Sequence, residues 1–184
     1  AITREWAWKY PKQVDALLGS LIESTISFLS LQASAGADAL MLFDSWASAV
    51  PAAQRDWLVT RPAQLIIEGL RKNQHKQPVI GFPKGIGEGL VKYVEQSGVD
   101  AVGLDHGLDP VWVDRNLQQN FPVQGNLDPL SLLQAGPEMF RDINHILDAF
   151  ANRPHIFNLG HGITPSTPTE NVQLMLDHVK CYQG

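Results

Sequence analysis

The chain has 184 residues and a formal net charge of −5, from 14 basic and 19 acidic side chains. Its 44% hydrophobic and 18% charged residues are typical of a globular protein, which excludes intrinsic disorder, and its length suits one domain. The acidic balance argues against a nucleic-acid-binding domain, which needs basic side chains. The single cysteine, Cys181, excludes an internal disulfide and a multi-cysteine metal site, and it fits a reducing, cytoplasmic compartment.

No stretch of the chain has the apolar length of a membrane helix, which needs roughly 20 residues. Apolar runs such as 39–43 and 63–67 are far shorter, and the first residues lack the order of a signal peptide. We therefore expect no membrane segment. The sequence begins at Ala1 rather than at Met, which fits either removal of an initiator Met or a chain that begins partway through a larger protein.

Short apolar strands alternate with amphipathic helices along the chain. In chain order the predicted elements are helix 11–35, strand 37–43, helices 51–58 and 62–73, strand 78–82, helix 85–97, strand 101–104, helix 109–116, strand 123–126, helices 129–134 and 137–152, strand 155–159 and helix 168–182. Five strands separated by helices predict βα repeats and a parallel sheet, in one α/β unit without an internal boundary.

Three of the predicted helices have capping signals at their start. Asp109 and Asp128 each precede a proline, which favours an aspartate N-cap followed by proline at the first helical position. The run Thr167-Pro168-Thr169-Glu170 has the order of a capping box. These signals indicate helix stability rather than chemistry.

The strongest candidate for a functional side chain is His161, which follows the last predicted strand. In folds of this class, functional groups lie in the loops that leave the carboxyl ends of strands. Glycines on both sides of His161, in Gly160-His161-Gly162, allow a sharp turn that leaves the imidazole open to a ligand. We favour this function over a histidine that merely bonds a neighbouring loop carbonyl.

Two further strand ends offer polar side chains with open interpretations. Ser45 is equally consistent with a hydroxyl donor to a ligand carboxylate and with a helix cap, and no G-x-S-x-G motif supports a nucleophile. Lys84 is the only cation at a predicted strand end, and both an anionic ligand and a solvated loop lysine explain it.

The remaining strand-end residues favour structural roles. Asp105 and His106 are too few to specify a metal, and the aspartate can serve as a helix cap. The run Gly85-Ile86-Gly87-Glu88-Gly89 lacks the order of a phosphate-binding loop, so we expect it to allow close packing at a helix start.

Several further segments of the sequence form a recognisable set. The C-terminal one is Asn158-Leu159-Gly160-His161-Gly162-Ile163, followed by Pro165, Pro168, Glu170, Asn171 and Val172. The others are Gly36-Ala37-Asp38-Ala39, Phe43-Asp44-Ser45-Trp46-Ala47, Gly103-Leu104-Asp105 and Val123-Gln124-Gly125-Asn126-Leu127-Asp128-Pro129. Together these segments resemble the uroporphyrinogen decarboxylase family, in the family's order and over nearly the whole chain.

This resemblance implies a (β/α)8 barrel enzyme of haem biosynthesis that converts uroporphyrinogen to coproporphyrinogen. The family removes carbon dioxide from four acetate side chains without a metal or an organic cofactor, and it is typically a cytoplasmic homodimer. By resemblance, His161 matches an active-site histidine, Ser45 a substrate-contacting serine or threonine, and Phe43 a pocket-wall aromatic. Lys84 is a weaker candidate for a substrate carboxylate.

The departures from the family predict that residues 1–184 are the C-terminal part of a single barrel domain. The family's Arg-x-x-Gly-Arg motif, the aspartate that gathers the pyrrole N–H groups and a tyrosine of the preceding segment do not occur here. About five βα units cannot close an eight-stranded barrel, which normally takes about 250 residues. We therefore expect a fragment that is inactive by itself, because too few cations remain to hold eight substrate carboxylates.

Two other functions stay open at this point. One is a zinc-dependent methyltransferase of the same superfamily, although Cys181 lies in the last predicted helix, far from any strand end. The other is a non-catalytic remnant that binds a partner protein.

Overall fold

The computed structural model describes residues 2–183, which form two compact units. The first unit ends at Asp100, and the second begins at Ala101. Each unit consists of parallel strands and the helices that connect them, as the predicted α/β class requires. The prediction of a single domain without an internal boundary stays a prediction.

The first unit contains two strands that pair in parallel. Its elements are α1 (Ile2–Lys9), α2 (Pro11–Ser34), β1 (Leu40–Asp44), α3 (Arg61–Lys72), β2 (Val79–Pro83) and α4 (Gly89–Ser97). Leu40 lies opposite Val79 and Asp44 opposite Pro83, so the two strands end side by side. The α3 face that carries Ile66, Ile67 and Leu70 is buried, which gives this amphipathic helix its place in the core.

Helix α4 packs closely over β2 because one strand residue is a glycine. A Cβ placed on Gly81 would lie 2.6 Å from the Tyr93 hydroxyl and 3.0 Å from a methyl group of Val99. Tyr93 is therefore buried over the backbone of β2, with 3% of its surface exposed. Burial raises the pKa of the Tyr93 phenol, and the nearby Asp44 carboxylate adds to this shift.

The second unit contains three strands, all parallel. Its elements are β3 (Ala101–Gly103), α5 (Pro110–Asn116), β4 (Val123–Gln124), α6 (Pro129–Gln134), α7 (Pro137–Ala149), β5 (His155–Ile156) and α8 (Thr169–Cys181). Strand β4 pairs with β3 on one side and with β5 on the other. Leu127 and Leu159 form one further parallel bridge beyond β4 and β5. Val123 and Leu127 are fully buried in the core of this unit.

The five strands found among residues 2–183 confirm the predicted strand positions, although most are shorter than predicted. Helix α1 was not predicted, because only Ala7 of its eight residues is buried and the segment shows no apolar stripe. The aspartate caps are confirmed: Asp109 accepts hydrogen bonds from the N–H groups of Val111 and Trp112, and Asp128 accepts one from Leu130.

Three local predictions were wrong. The predicted helix 51–58 is replaced by a 3-10 turn at Ala52–Gln54 and a π turn at Asp56–Thr60 that runs into α3, and another 3-10 turn precedes them at Ala47–Ala49. Pro62, which has no N–H to donate to the preceding turn, interrupts regular α-helical bonding there. The predicted helix 85–97 starts only at Gly89, because Gly85 and Gly87 have φ angles of 73° and 55°.

The third wrong prediction is the capping box at 167–170. Helix α8 begins at Thr169, with Pro168 at the N-cap and no side-chain cap. The Thr167 hydroxyl lies 2.7 Å from the Thr164 hydroxyl instead. The threonine therefore stabilises the preceding loop rather than the start of α8.

Helix α2 corrects the expectation that no segment could span a membrane. By length and composition its 24 residues are long and apolar enough, although a single such helix is weak evidence because helices of soluble proteins pass the same test. Searching for uninterrupted apolar runs missed it, since polar residues interrupt its apolar pattern. Its apolar side chains Leu17, Leu21, Phe28 and Leu31 are 46–70% exposed.

His155, at the start of β5, is a half-buried imidazole in the second unit. Its Nε2 lies 2.7 Å from the carbonyl oxygen of Gly125, so this nitrogen carries the proton that is donated. Its ring packs against Phe150, with centroids 4.8 Å apart. Burial lowers the pKa of His155; the bond to Gly125 opposes this shift, and the Arg153 guanidinium adds to it.

We predict that His155 makes the protein less stable as the pH falls below about 6.5, the usual pKa of histidine. The unfolded chain takes up the proton first, because the folded pKa is lower, so the contribution present at neutral pH is lost on acidification. The measurement is the free energy of unfolding by urea between about pH 5 and pH 8. His155→Gln is expected to flatten this profile, whereas His75→Gln controls for loss of a histidine. If the free energy of unfolding of His155→Gln changed with pH as steeply as that of the wild type, His155 would not be the group responsible.

Candidate functional site

In the first unit the ends of β1 and β2 bring three of the candidate residues to one edge. Phe43 is the fourth residue of β1, is 63% exposed and contacts the Phe82 ring edge-on, with centroids 5.9 Å apart. Ser45 follows β1 and is exposed, and Lys84 follows β2 and is half-buried. The structure therefore places an aromatic face, a hydroxyl group and an ammonium group on adjacent strand ends.

Backbone contacts hold the Ser45 and Lys84 loops together. The Lys84 N–H donates to the Asp44 carbonyl oxygen at 3.1 Å, and the Ser48 N–H donates to the Lys84 carbonyl oxygen at 3.0 Å. A Cβ on Gly85 would lie 2.7 Å from the Cβ of Ser48, so only glycine permits this approach. Gly85 therefore serves close packing, although against the Ser48 loop rather than at a helix start, whereas a Cβ on Gly87 would meet no atom within 4 Å.

Ser45 does not act as a helix cap. The first helical turn after β1, Ala47–Ala49, has Trp46 at its N-cap and no side-chain cap hydrogen bond. The carboxylate of Asp44 instead accepts hydrogen bonds from the N–H groups of Trp46 and Ala47. Ser45 is exposed at the surface, so of the two interpretations only that of a donor to a ligand remains.

Asp44 is a titratable group that sequence reasoning did not single out. Burial raises the pKa of its carboxyl group, and its two backbone hydrogen bonds oppose that shift. Asp44 and Trp46 line an otherwise mainly apolar cavity of about 420 Å³ that Arg4 also borders. The order Phe43-Asp44-Ser45 gave no sign that the aspartate side chain turns back into the fold, because a strand-end aspartate is usually solvated.

In the second unit, His161 follows a segment that continues the parallel pairing beyond β5. The Leu127 N–H donates to the Asn158 carbonyl oxygen at 3.1 Å, and the Gly160 N–H donates to the Leu127 carbonyl oxygen at 2.8 Å. Gly160 is buried, whereas His161 is exposed. The histidine therefore leaves a fixed backbone at the strand end, as predicted.

The two glycines beside His161 have different surroundings. A Cβ on Gly160 would lie 2.3 Å from the backbone nitrogen of His106 and 2.8 Å from its Cα. A Cβ on Gly162 would meet no atom within 4 Å. Gly160 is required for contact with the 105–108 loop, so only one of the two glycines is fixed by packing.

Asp105 has a structural role in the 105–108 loop, but it is not the helix cap that sequence analysis expected. His106 lies exposed beside it. The Asp105 carboxylate accepts a hydrogen bond from the Gly107 N–H at 2.9 Å and so closes the turn, while Asp109 caps the helix. Among residues 2–183, no group of three or more His, Cys, Asp or Glu side chains could hold a metal ion. Cys181 lies exposed on α8.

The family described as "Uroporphyrinogen decarboxylase (URO-D)" matches residues 1–182. The chain is 47% identical over 178 residues to a uroporphyrinogen decarboxylase of Novosphingobium aromaticivorans, covering 97% of this chain and 52% of that relative. It is 44% identical to one of Sphingopyxis alaskensis, covering 98% and 53% respectively. The chain thus spans about half the length of these curated relatives.

A solved structure confirms the fold class. A methyltransferase from Methanosarcina mazei superposes with a TM-score of 0.82 at 17% sequence identity, over 96% of this chain and 51% of that protein. At this identity the likeness concerns the fold alone. The fold is α/β and corresponds to part of a (β/α)8 barrel.

We predict that alanine in place of Gly162 leaves the stability of the protein nearly unchanged, whereas alanine in place of Gly160 lowers it. Gly160→Ala would force a methyl group against the His106 backbone and is expected to lower the free energy of unfolding by about 1–3 kcal/mol, the usual cost of overpacking. Gly162→Ala, the matched control, should change it by less than about 0.5 kcal/mol, as for other surface substitutions. Urea denaturation of both variants is the measurement, and equal effects would refute the packing argument.

Proposed function

This chain belongs to the uroporphyrinogen decarboxylase family, and we propose that it forms the C-terminal part of an enzyme that converts uroporphyrinogen to coproporphyrinogen. The observation that carries the proposal is the family match over residues 1–182, within which the exposed His161 follows a strand end. The chain spans about half of its relatives, so the complete activity is proposed for the full-length enzyme.

The proposed reaction removes carbon dioxide from each of four acetate side chains. The bond between the side-chain methylene carbon and its carboxylate breaks, and the electron pair passes into the attached pyrrole ring, which has been protonated. A proton then adds to the methylene carbon and leaves a methyl group, while the ring proton is lost. The substrate is its own electron sink in this scheme, so we propose that no metal or organic cofactor is needed.

The task of the protein is then to bind carboxylates, place the ring and move protons. We propose that the His161 imidazole, exposed after β5, donates a hydrogen bond to a substrate carboxylate or transfers a proton, since histidine titrates near neutral pH. The Ser45 hydroxyl would donate to a carboxylate, and the exposed Phe43 ring would form part of the pocket wall. The Lys84 ammonium group would be a further partner for a substrate carboxylate.

Charge supports the proposal that this chain needs the remainder of the enzyme. The chain carries a net charge of −5, and the substrate carries eight carboxylates. Charges of the same sign oppose binding unless cations line the site. We propose that the residues of the family's N-terminal part supply those cations, that the full-length enzyme is a cytoplasmic homodimer, and that this chain alone is inactive.

The zinc-dependent methyltransferase is not favoured by any specific observation. The methyltransferase from Methanosarcina mazei shares 17% identity, which carries only the fold. Zinc chemistry would need a ligand set of thiolate and imidazole groups, and the described residues offer no such group of three. A partner-binding remnant would have an apolar surface in the exposed side chains of α2, but nothing among residues 2–183 indicates which protein would cover it.

We predict that His161→Ala lowers kcat of the full-length enzyme by at least about 100-fold, because general acid–base catalysis contributes 10²–10⁴-fold. The measurement is anaerobic formation of coproporphyrinogen, quantified after oxidation by chromatography. The melting temperature should hardly change, since the side chain is exposed. His75→Ala, in the loop after α3, serves as the control. A wild-type rate in His161→Ala would refute its role.

We predict that Ser45→Ala acts mainly on substrate binding. Loss of one hydrogen bond to a carboxylate costs about 1.5 kcal/mol or more, which corresponds to a KM raised about tenfold. Ser45→Thr keeps the hydroxyl and is expected to retain a KM within about threefold of wild type. Steady-state kinetics of both variants is the measurement, and an unchanged KM in Ser45→Ala would count against the assignment.

A further inference from the structure

Asn126 connects the strand-end segments of the second unit from within its core. It follows β4 and is 4% exposed. Its side-chain Nδ2 donates to the carbonyl oxygen of Asp105 at 2.9 Å and to that of Leu108 at 2.8 Å. A single amide group therefore holds both ends of the 105–108 loop.

The loop that Asn126 holds is the surface against which the His161 segment packs. Gly160 approaches the His106 backbone so closely that a Cβ would lie 2.3 Å from its nitrogen. On its other side, Gly160 donates its N–H to the Leu127 carbonyl oxygen at 2.8 Å. The residue before His161 is thus held between the 105–108 loop and the residue after Asn126.

Asn126 therefore contributes to both contacts that hold Gly160, the one with the 105–108 loop and the one with Leu127. Its side chain fixes the loop beneath Gly160, and its backbone leads directly into Leu127, which bonds Asn158 and Gly160. A shift of the 105–108 loop would widen or narrow the space beside Gly160, and it would therefore move the backbone of the exposed His161. Side chains that act through another residue in this way set its orientation rather than its chemistry.

We propose that Asn126 is a positioning residue for His161, acting through the 105–108 loop and Gly160. The proposal rests on the proposed function, because it assumes that the orientation of His161 matters for decarboxylation. Asn126 touches no reacting atom in this scheme. Its contribution is to hold the imidazole in the orientation that the substrate requires, for which small displacements are costly.

Asn171 offers a closely matched control within the same unit. Its Nδ2 also donates to two backbone carbonyl oxygens, those of Leu132 and Leu133, each at 3.0 Å. These bonds tie α8 to the end of α6 and do not involve the 105–108 loop or Gly160. Asn126→Ala and Asn171→Ala therefore remove the same number and type of hydrogen bonds, with different neighbours.

The experiment combines two readouts on the full-length enzyme. The first readout is the NMR spectrum of enzyme with isotope-labelled histidine, in which the ring signals of His161 are assigned by their loss in His161→Ala. Both the positions of these signals and the midpoint of their change with pH are recorded. The second is kcat and KM for uroporphyrinogen. For Asn126→Ala we expect shifted His161 signals and a kcat lowered about 10- to 100-fold, with KM changed less. Asn171→Ala should leave the signals and kcat at wild-type values.

The outcomes separate this inference from the proposed function. If wild-type enzyme does not convert uroporphyrinogen, the proposed function fails, and the His161 signals still decide whether Asn126 positions the ring. Unchanged His161 ring signals in Asn126→Ala overturn the inference, even if kcat falls. The lower kcat would then come from a structural change that does not reorient His161. Equal effects in Asn126→Ala and Asn171→Ala also overturn it. Should Asn126→Ala not fold, Asn126→Ser keeps one donor and is expected to give smaller shifts of the same signals.

Discussion

Parallel pairing is the constraint on which the placement of the candidate residues depends. A parallel strand can join its neighbour only after the chain has returned along a crossover, usually a helix, so within a unit every strand ends at the same edge. In the first unit this brings the residues after β1 and β2 together, and in the second it aligns the residues after β3, β4 and β5. Polar groups distant in sequence thus share an edge within each unit.

Close backbone approaches at glycines and a few polar side chains hold the loops at these edges. In the first unit Gly85 allows contact with Ser48, and in the second Gly160 allows contact with His106. The buried amide of Asn126 adds two hydrogen bonds to the carbonyl oxygens of the second loop. A backbone carbonyl left without a partner in the interior is costly, so such loops have few alternative positions. The exposed side chains can then differ in chemistry while the loops that carry them stay in place.

The sequence predicted the positions of the strands, because apolar periodicity and proline or glycine boundaries are local signals, but it placed the ends of β4 and β5 two and three residues too late. His161 and Ser45 became candidates from their position after a strand. Helix α1 was missed because a helix with one buried residue has no apolar stripe. Asn126 was missed for a related reason: a single buried amide that bonds carbonyl groups about 20 residues earlier has no periodic pattern.

The space above Gly81 has a consequence for the alignment of α4 on the first unit's strands. Tyr93 fills that space, with its hydroxyl group 2.6 Å from where a Cβ of residue 81 would lie. If α4 slid by one turn along its axis, Gly89 or Ser97 would come over Gly81, and neither side chain could replace a phenol ring. The fold would then contain a void on one side and a displaced ring on the other. The fit of Tyr93 over Gly81 therefore selects one alignment of α4 from several that its amphipathic pattern alone would allow.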